Sequence, residues 1–237
     1  MPTAVVLACG EPLSQDPIEL LRALVGRVVE EELVEQEMQS FTIASVAVET
    51  GQTAFRVSTT DERLGSEIEK LRETEILVAG KPRALRQVEG HPLAGRRSYE
   101  ELFRKAASAA KDFSFEFLSP TCFRHGDVDV PLPLSRPLFN GLYRRWKHSH
   151  TRFALHEEVV DAAEHHLSIA TLRIESQAFK EDKTTRMGFV GKASFRVSGG
   201  LNRDILHELN ALADFAFYAS VGQRTQAGMG LIRRLTD

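Results

Sequence analysis

Residues 3–9 are apolar at nearly every position, which predicts a buried strand. Residues 10–16 read as a turn, and Pro17 suits the first position of a helix. Leu20, Leu21, Leu24, Val25, Val28 and Val29 recur at helical spacing and carry that helix to about Leu33. Residues 41–48 alternate, Gly51 breaks the alternation, and residues 54–58 form the return strand of a hairpin. Asp61 opens a second helix with Leu64, Ile68 and Leu71 on its buried face, and residues 76–79 with 83–88 supply the closing strand. Strand, helix, two strands, helix, strand is the ferredoxin-like order.

Gly90, Pro92 and Gly95 interrupt the pattern before a polar helical stretch at 99–110, so residues 91–112 predict a connector. The plan then repeats with insertions. A strand falls at 113–118, helices at 134–147 and 155–164, and a hairpin pairs 167–176 with 188–197 across a polar tip. The last helix is the most clearly patterned: Ile205, Leu209, Leu212 and Ala216 share a face, Asn202 can cap its start, and Asp204 sits where the helix dipole favours a negative charge. The expected architecture is α+β, two tandem ferredoxin-like (RRM-like, βαββαβ) domains at 1–90 and 113–237.

That last helix runs into a glycine-rich loop at 221–230 and a final strand at 231–235. Gly222, Gly228 and Gly230 permit positive dihedrals that turn backbone N–H groups outward, while Gln223, Arg224, Thr225 and Gln226 add side-chain donors, a surface suited to phosphate oxygens. The glycine spacing alone fits a turn into the final strand equally well.

Composition restricts the function. The 237 residues carry a formal net charge of -3, so a nucleic-acid site would be a local patch and not a global field. Acidic weight sits in residues 30–37 and 61–75, whereas the second half holds Arg144, Arg145, Lys147, Arg186, Lys192, Arg196 and Arg224. Two cysteines, Cys9 and Cys122, are too few for a metal cluster or a disulfide framework and fit a reducing cytoplasm. No secretory signal and no membrane-length apolar run is visible. His148 and His150, and the pair His165 and His166, lack carboxylates or cysteines at ligand spacing, so surface or packing roles are expected and no metal. His91, between a glycine and a proline, fits a structural turn, and His125 could reach a ligand from a loop. Trp146, flanked by Arg145 and Lys147, could stack a base, but it shares its helix with Leu138, Phe139 and Leu142 and fits the core better.

Gly188-Phe189-Val190-Gly191-Lys192-Ala193-Ser194-Phe195-Arg196-Val197, a helix ending Asp214-Phe215-Ala216-Phe217-Tyr218-Ala219-Ser220-Val221-Gly222, and then Gln223-Arg224-Thr225-Gln226-Ala227-Gly228-Met229-Gly230 together form a signature. It resembles the C-terminal signature of the CRISPR-associated endoribonucleases of the RAMP superfamily, which cut precursor CRISPR RNA inside its repeat. The similarity continues through residues 117–124, 130–133, 138–146 and 89–95.

The resemblance implies a metal-independent, cofactor-free reaction. The ribose 2′-hydroxyl attacks the adjacent phosphate and leaves a 2′,3′-cyclic phosphate. A base, an acid and cationic donors to the phosphorane are needed. Many members place a histidine at the end of the first helix. Matching Phe41 to the phenylalanine that opens their second strand puts that position at or near Val34, yet this chain has no histidine before His91. Arg27, two turns before Val34 on the expected helix, and Arg22 are the candidates for stabilising the phosphorane, although arginine is a poor proton acceptor. The RNA-binding candidates are Gly222, Gln223, Arg224, Thr225, Gln226, Gly228, Gly230, Lys192 and Arg124. The implied partners are CRISPR repeat RNA, an effector complex and a second copy in a homodimer. The missing histidine keeps an alternative open, a RAMP subunit that holds guide RNA without cutting it; a small-molecule sensor on the same fold would instead need an apolar pocket.

Overall fold

The computed structural model describes residues 1–10, 17–48, 52–78, 80–149, 151–181 and 184–235. The turn expected at 11–16, the break at Gly51, and His150 lie outside them. The chain divides into two compact units, Met1–Ser98 with Arg224–Gly228, and Tyr99–Gln223 with Met229–Asp237. The short loop segment thus belongs to the first unit although it is flanked by residues of the second.

In the first unit β1 (Thr3–Cys9) leads to α1 (Pro17–Val25), a one-turn α2 (Val34–Glu37), β2 (Phe41–Val46), β3 (Thr53–Thr59), α3 (Glu62–Glu69), β4 (Glu73–Val78), β5 (Lys81–Gln87) and β6 (Gly95–Arg96). The sheet order is β2-β3-β1-β5-β4, with β6 also paired to β1. β1 is central and buried along its whole length, as its unbroken apolar run requires. Asp61 caps α3 by accepting from the N–H groups of Arg63 and Leu64. Residues 73–78 and 81–87 are two hairpin strands where one closing strand was expected.

α1 ends at Val25 and not near Leu33. Gly26, a weak helix former, follows it, and the N–H groups of Gly26, Arg27 and Val28 turn back to the carbonyls of Arg22, Leu24 and Val25. The chain then passes to α2 through a 3-10 turn at Glu31–Leu33. In the middle of β3, Arg56 is buried and donates to the Leu93 carbonyl (2.8 Å) and the Ser58 hydroxyl (2.8 Å). His91 accepts from the Leu93 N–H at Nδ1. The structural turn role expected of His91 matches this arrangement.

The second unit contains α4 (Tyr99–Arg104), β7 (Asp112–Thr121), the small hairpin β8 (Phe123–His125) and β9 (Val128–Val130), α5 (Ser135–His148), α6 (Glu158–His166), β10 (Leu167–Glu181), β11 (Thr184–Val197), α7 (Arg203–Ala219) and β12 (Ile232–Leu235). Its sheet runs β10-β11-β7-β12. Both units therefore carry the ferredoxin-like order 2-3-1-4, the first with β4 added at one edge. β7 alternates strictly, and its inward Phe113 and Phe115 meet Phe139 of α5 edge to face. β10 and β11 continue through residues 177–181 and 184–187, which were expected to be a polar tip; the polar residues there stay in register as a two-stranded extension. Trp146 is core: its Nε1 donates to the Phe153 carbonyl and its ring meets Tyr99 at 4.8 Å. Among the described residues no helix is long and apolar enough to cross a membrane.

Candidate nucleic-acid interface

α7 delivers the chain to the glycine-rich loop. Asn202 caps its start with Oδ1 on the Asp204 N–H (2.8 Å), and its apolar face is buried. At its other end the Arg145 guanidinium donates to the Ala219 carbonyl (2.6 Å), a cation where the helix dipole is negative. Burial pushes Arg145 down to about 10, so it remains a cation at neutral pH. Ser220 then takes φ 54° and breaks the helix.

Within the loop, most of the available donors are already committed. Val221 N–H donates to the Gly230 carbonyl, Gly230 N–H to Pro120, Gln223 N–H to Cys122 and Ala227 N–H to Arg224. Gly222 has φ 78°, and a Cβ there would lie 2.4 Å from the Cys122 carbonyl oxygen, so its glycine serves a close backbone approach. Gly228 and Gly230 have positive φ and are buried. Thr225 is buried and its carbonyl accepts from the Ile43 N–H (3.1 Å), while Gln226 Nε2 donates to the Met38 carbonyl (2.7 Å). Thr225 and Gln226 therefore fasten the loop to the start of β2 within the first unit and do not offer their groups outward, which corrects the expectation of an open row of donors. Arg224 differs from its neighbours. It is exposed and holds φ 56°, a left-handed conformation that costs a non-glycine residue roughly 1–2 kcal/mol.

In the second unit, Asp129 organises the loop's entry. Its carboxylate accepts from Arg124 Nη1 (3.2 Å), Gln223 Nε2 (3.2 Å) and Arg186 Nη1 (2.9 Å). Burial pushes the Asp129 carboxyl up, but these hydrogen bonds outweigh it and hold the group below the ordinary carboxylate range. Arg124 and Gln223 are thus brought together, with Arg186 added. Lys192 stands apart on β11 beside Glu116 of β7, 3.7 Å away.

The first unit places the catalytic candidates. Val34 is buried in the core formed with Leu24, Met38 and Phe41, and a Cβ on Gly26 would lie 3.7 Å from its Cγ2. A side chain at 34 points inward, so position 34 itself offers no open seat for an acid or base. Arg27 follows Gly26 and is exposed, and the break after α1 removes the two-turn helical spacing to Val34. Arg22 is exposed on α1. Sequence reasoning passed over Glu37 at the end of α2. It is ion-paired to Arg63 (3.2 Å) and precedes Met38, whose carbonyl takes the Gln226 hydrogen bond.

Among the described residues no group of histidines, cysteines and carboxylates could hold a metal ion. His148, His165 and His166 each have Nδ1 within hydrogen-bond distance of a backbone carbonyl. One further pair went unread in the sequence: Glu208, buried in α7, accepts from both the backbone N–H and Nδ1 of His156. The hydrogen bond and charge of Glu208 push the His156 imidazole up. A raised folded value means that the pair's stabilisation is full below the unfolded value of about 6.5 and is lost as pH rises through the folded one. Thermal midpoints measured from pH 6 to pH 9 are expected to fall across that window, and His156→Gln to flatten the fall; an identical slope in the variant would remove the pair from the pH response.

Residues 115–232 match the family described as CRISPR-associated endoribonuclease Cas6. The whole fold is similar to a Cas6 product complex, with TM-score 0.81 and 28% identity over 100% of both chains. It is also similar to Thermus thermophilus Cas6, with TM-score 0.78 and 28% identity over 99% of this chain and 98% of that one. A Cas6 mutant with a histidine replaced by alanine gives TM-score 0.78 and 27% identity over 99% of both chains. No curated protein sequence matches the chain.

Proposed function

Since the chain belongs to the CRISPR-associated Cas6 endoribonuclease family, we propose that it binds the repeat hairpin of precursor CRISPR RNA and cuts it by metal-independent transesterification. The observation that carries this reading is the seating of Arg224–Gly228 on Met38 and Ile43 within the first unit. That seating puts an exposed, conformationally strained arginine on the same unit as Arg27 and Glu37.

In this reading Arg224 receives a phosphate, Arg124 and Gln223, set by Asp129, contact the RNA backbone, and Lys192 adds a further contact. Gly222, Gly228 and Gly230 shape the loop, and Thr225 and Gln226 hold it down. Arg27 stabilises charge on the phosphorane as the 2′-oxygen attacks. The 2′ proton goes to a carboxylate, Glu37, in place of the histidine this chain lacks. The 5′-oxygen takes a proton from solvent water as it leaves, and the other product ends in a 2′,3′-cyclic phosphate. The protein acts in a reducing cytoplasm, compatible with two free, buried cysteines, and passes its product to an effector complex, as a monomer or a homodimer.

A second reading has a specific observation behind it. Because Val34 is core and no histidine precedes His91, the chain would hold guide RNA without cutting it. Single-turnover cleavage of the cognate repeat in excess chelator separates the two. A cyclic-phosphate product at an undiminished rate is expected; tight binding with intact RNA would leave the holding subunit, and loss of activity on chelation would overturn the metal-free route.

A further inference from the structure

The outward face of the second unit's sheet carries a row of charges with no part in the reading above apart from Lys192. Register puts Arg173 of β10 opposite Lys192 of β11, Lys192 opposite Glu116 of β7, and Glu116 opposite Arg233 of β12. Residues directly opposite one another share a face, so these four side chains form one line across all four strands. Glu116 accepts from Arg233 Nε (2.7 Å) and lies 3.7 Å from Lys192 Nζ. The row thus holds three cations around one carboxylate. Arg173 is exposed, and Lys192 and Arg233 keep 57% and 40% of their side-chain surface open, whereas Glu116 keeps 19%. The cations face solvent over a largely covered carboxylate.

The surroundings are close to neutral. Arg196 is paired with Asp112 toward one end of the face (2.6 Å), Ser114 and Ser194 lie between, and Glu175 is two residues beyond Arg173. The aromatic side chains of β7 and β11, Phe113, Phe115, Phe117, Phe189 and Phe195, are all buried. Phe179, the ring of β10, stands six residues beyond Arg173 on the two-stranded extension. A single strand lying along the row itself would find no ring on β7 or β11 on which to stack a base, and cations spaced by the strands for its phosphates. With strands about 4.8 Å apart, Lys192 lies about 5 Å and Arg233 about 14 Å from Arg173 along the row, a span that only a ligand with several anionic groups in series uses fully.

We propose that this row binds the phosphate backbone of single-stranded RNA flanking the repeat hairpin, without reading its bases. The inference rests on the chain being a repeat-RNA protein and adds a second, sequence-independent contact to it. The row would hold the flank while the glycine-rich loop holds the hairpin.

The test compares two RNAs, the repeat hairpin alone and the same hairpin with its single-stranded flank, in salt titrations of affinity. The parent is expected to bind the flanked RNA more tightly and with the steeper salt dependence. Arg173→Gln with Arg233→Gln should lower the slope for the flanked RNA by about 1.4, at roughly 0.7 per single-strand phosphate contact, and leave the hairpin alone unchanged. Glu116→Gln should act in the opposite direction and tighten the flanked RNA about threefold to tenfold, a gain that a damaged fold cannot produce. Equal affinity of the parent for both RNAs, equal losses on both in the arginine variant, or no gain in Glu116→Gln would overturn the row as a flank site. A parent that bound neither RNA would instead sink the reading of the chain as a repeat-RNA protein.

Discussion

Gly222→Ala is expected to destabilise the protein by about 2–5 kcal/mol and to abolish tight repeat binding. Two costs combine. A side chain at φ 78° pays the left-handed penalty, roughly 1–2 kcal/mol. Its Cβ would also stand 2.4 Å from the Cys122 carbonyl oxygen, a backbone atom between β7 and β8 that cannot rotate away, and relieving such an overlap costs roughly 1–3 kcal/mol. Relief requires the loop to lift, which breaks the Gln223 N–H bond to Cys122 and moves Arg224, the next residue, off its seat. Urea unfolding and repeat affinity, measured together, check this. A variant as stable as the parent would show that the close approach is not there. A destabilised variant that still binds repeat RNA at parental affinity would detach Arg224 from recognition.

The sequence carries the fold through period, and it loses the fold where period gives way to a single geometric fact. β1, α3, β7 and α7 are legible because their apolar positions recur at 2 or at 3.6 residues and their caps, Asp61 and Asn202, are in place. The end of α1 is not legible. Val28 and Val29 continue the helical spacing, and only the turn at Gly26, where a Cβ would lie 3.7 Å from Val34 eight residues on, ends it. The β10–β11 extension escaped for the opposite reason, since polar residues such as Lys180 and Thr185 can pair as strands with no core beneath them.

Much the same division runs through the site. Glycine content marked the loop, but not which residues face outward: Thr225 and Gln226 look as polar as Arg224 in a sequence, and only burial distinguishes them, Thr225 buried, Gln226 half-buried and Arg224 exposed. The Asp129 cluster joins residues 94, 57 and 5 positions away in the chain, a separation no spacing rule reaches.

Arg27→Ala is expected to slow single-turnover cleavage by about 10²–10³-fold while changing repeat affinity by less than about fivefold. The split follows from the role. A cation that meets charge developing on the phosphorane acts in the transition state, whereas Arg224 meets a phosphate already charged in the ground state and its loss should fall on affinity. Arg22→Ala, two residues ahead of Leu24 on an exposed face of α1, should cut close to the parental rate. Glu37→Gln should lose about 10²–10⁴-fold if its carboxylate takes the 2′ proton, and Val34→His should restore nothing, because a side chain at 34 enters the core beside Leu24 and Phe41. Parental cleavage by Arg27→Ala would move the phosphorane's cation to Arg224. Parental cleavage by Glu37→Gln as well would leave that arginine and the bound geometry as the only catalysts in reach, and a rate enhancement of that size is what a guide-holding subunit with residual activity would show.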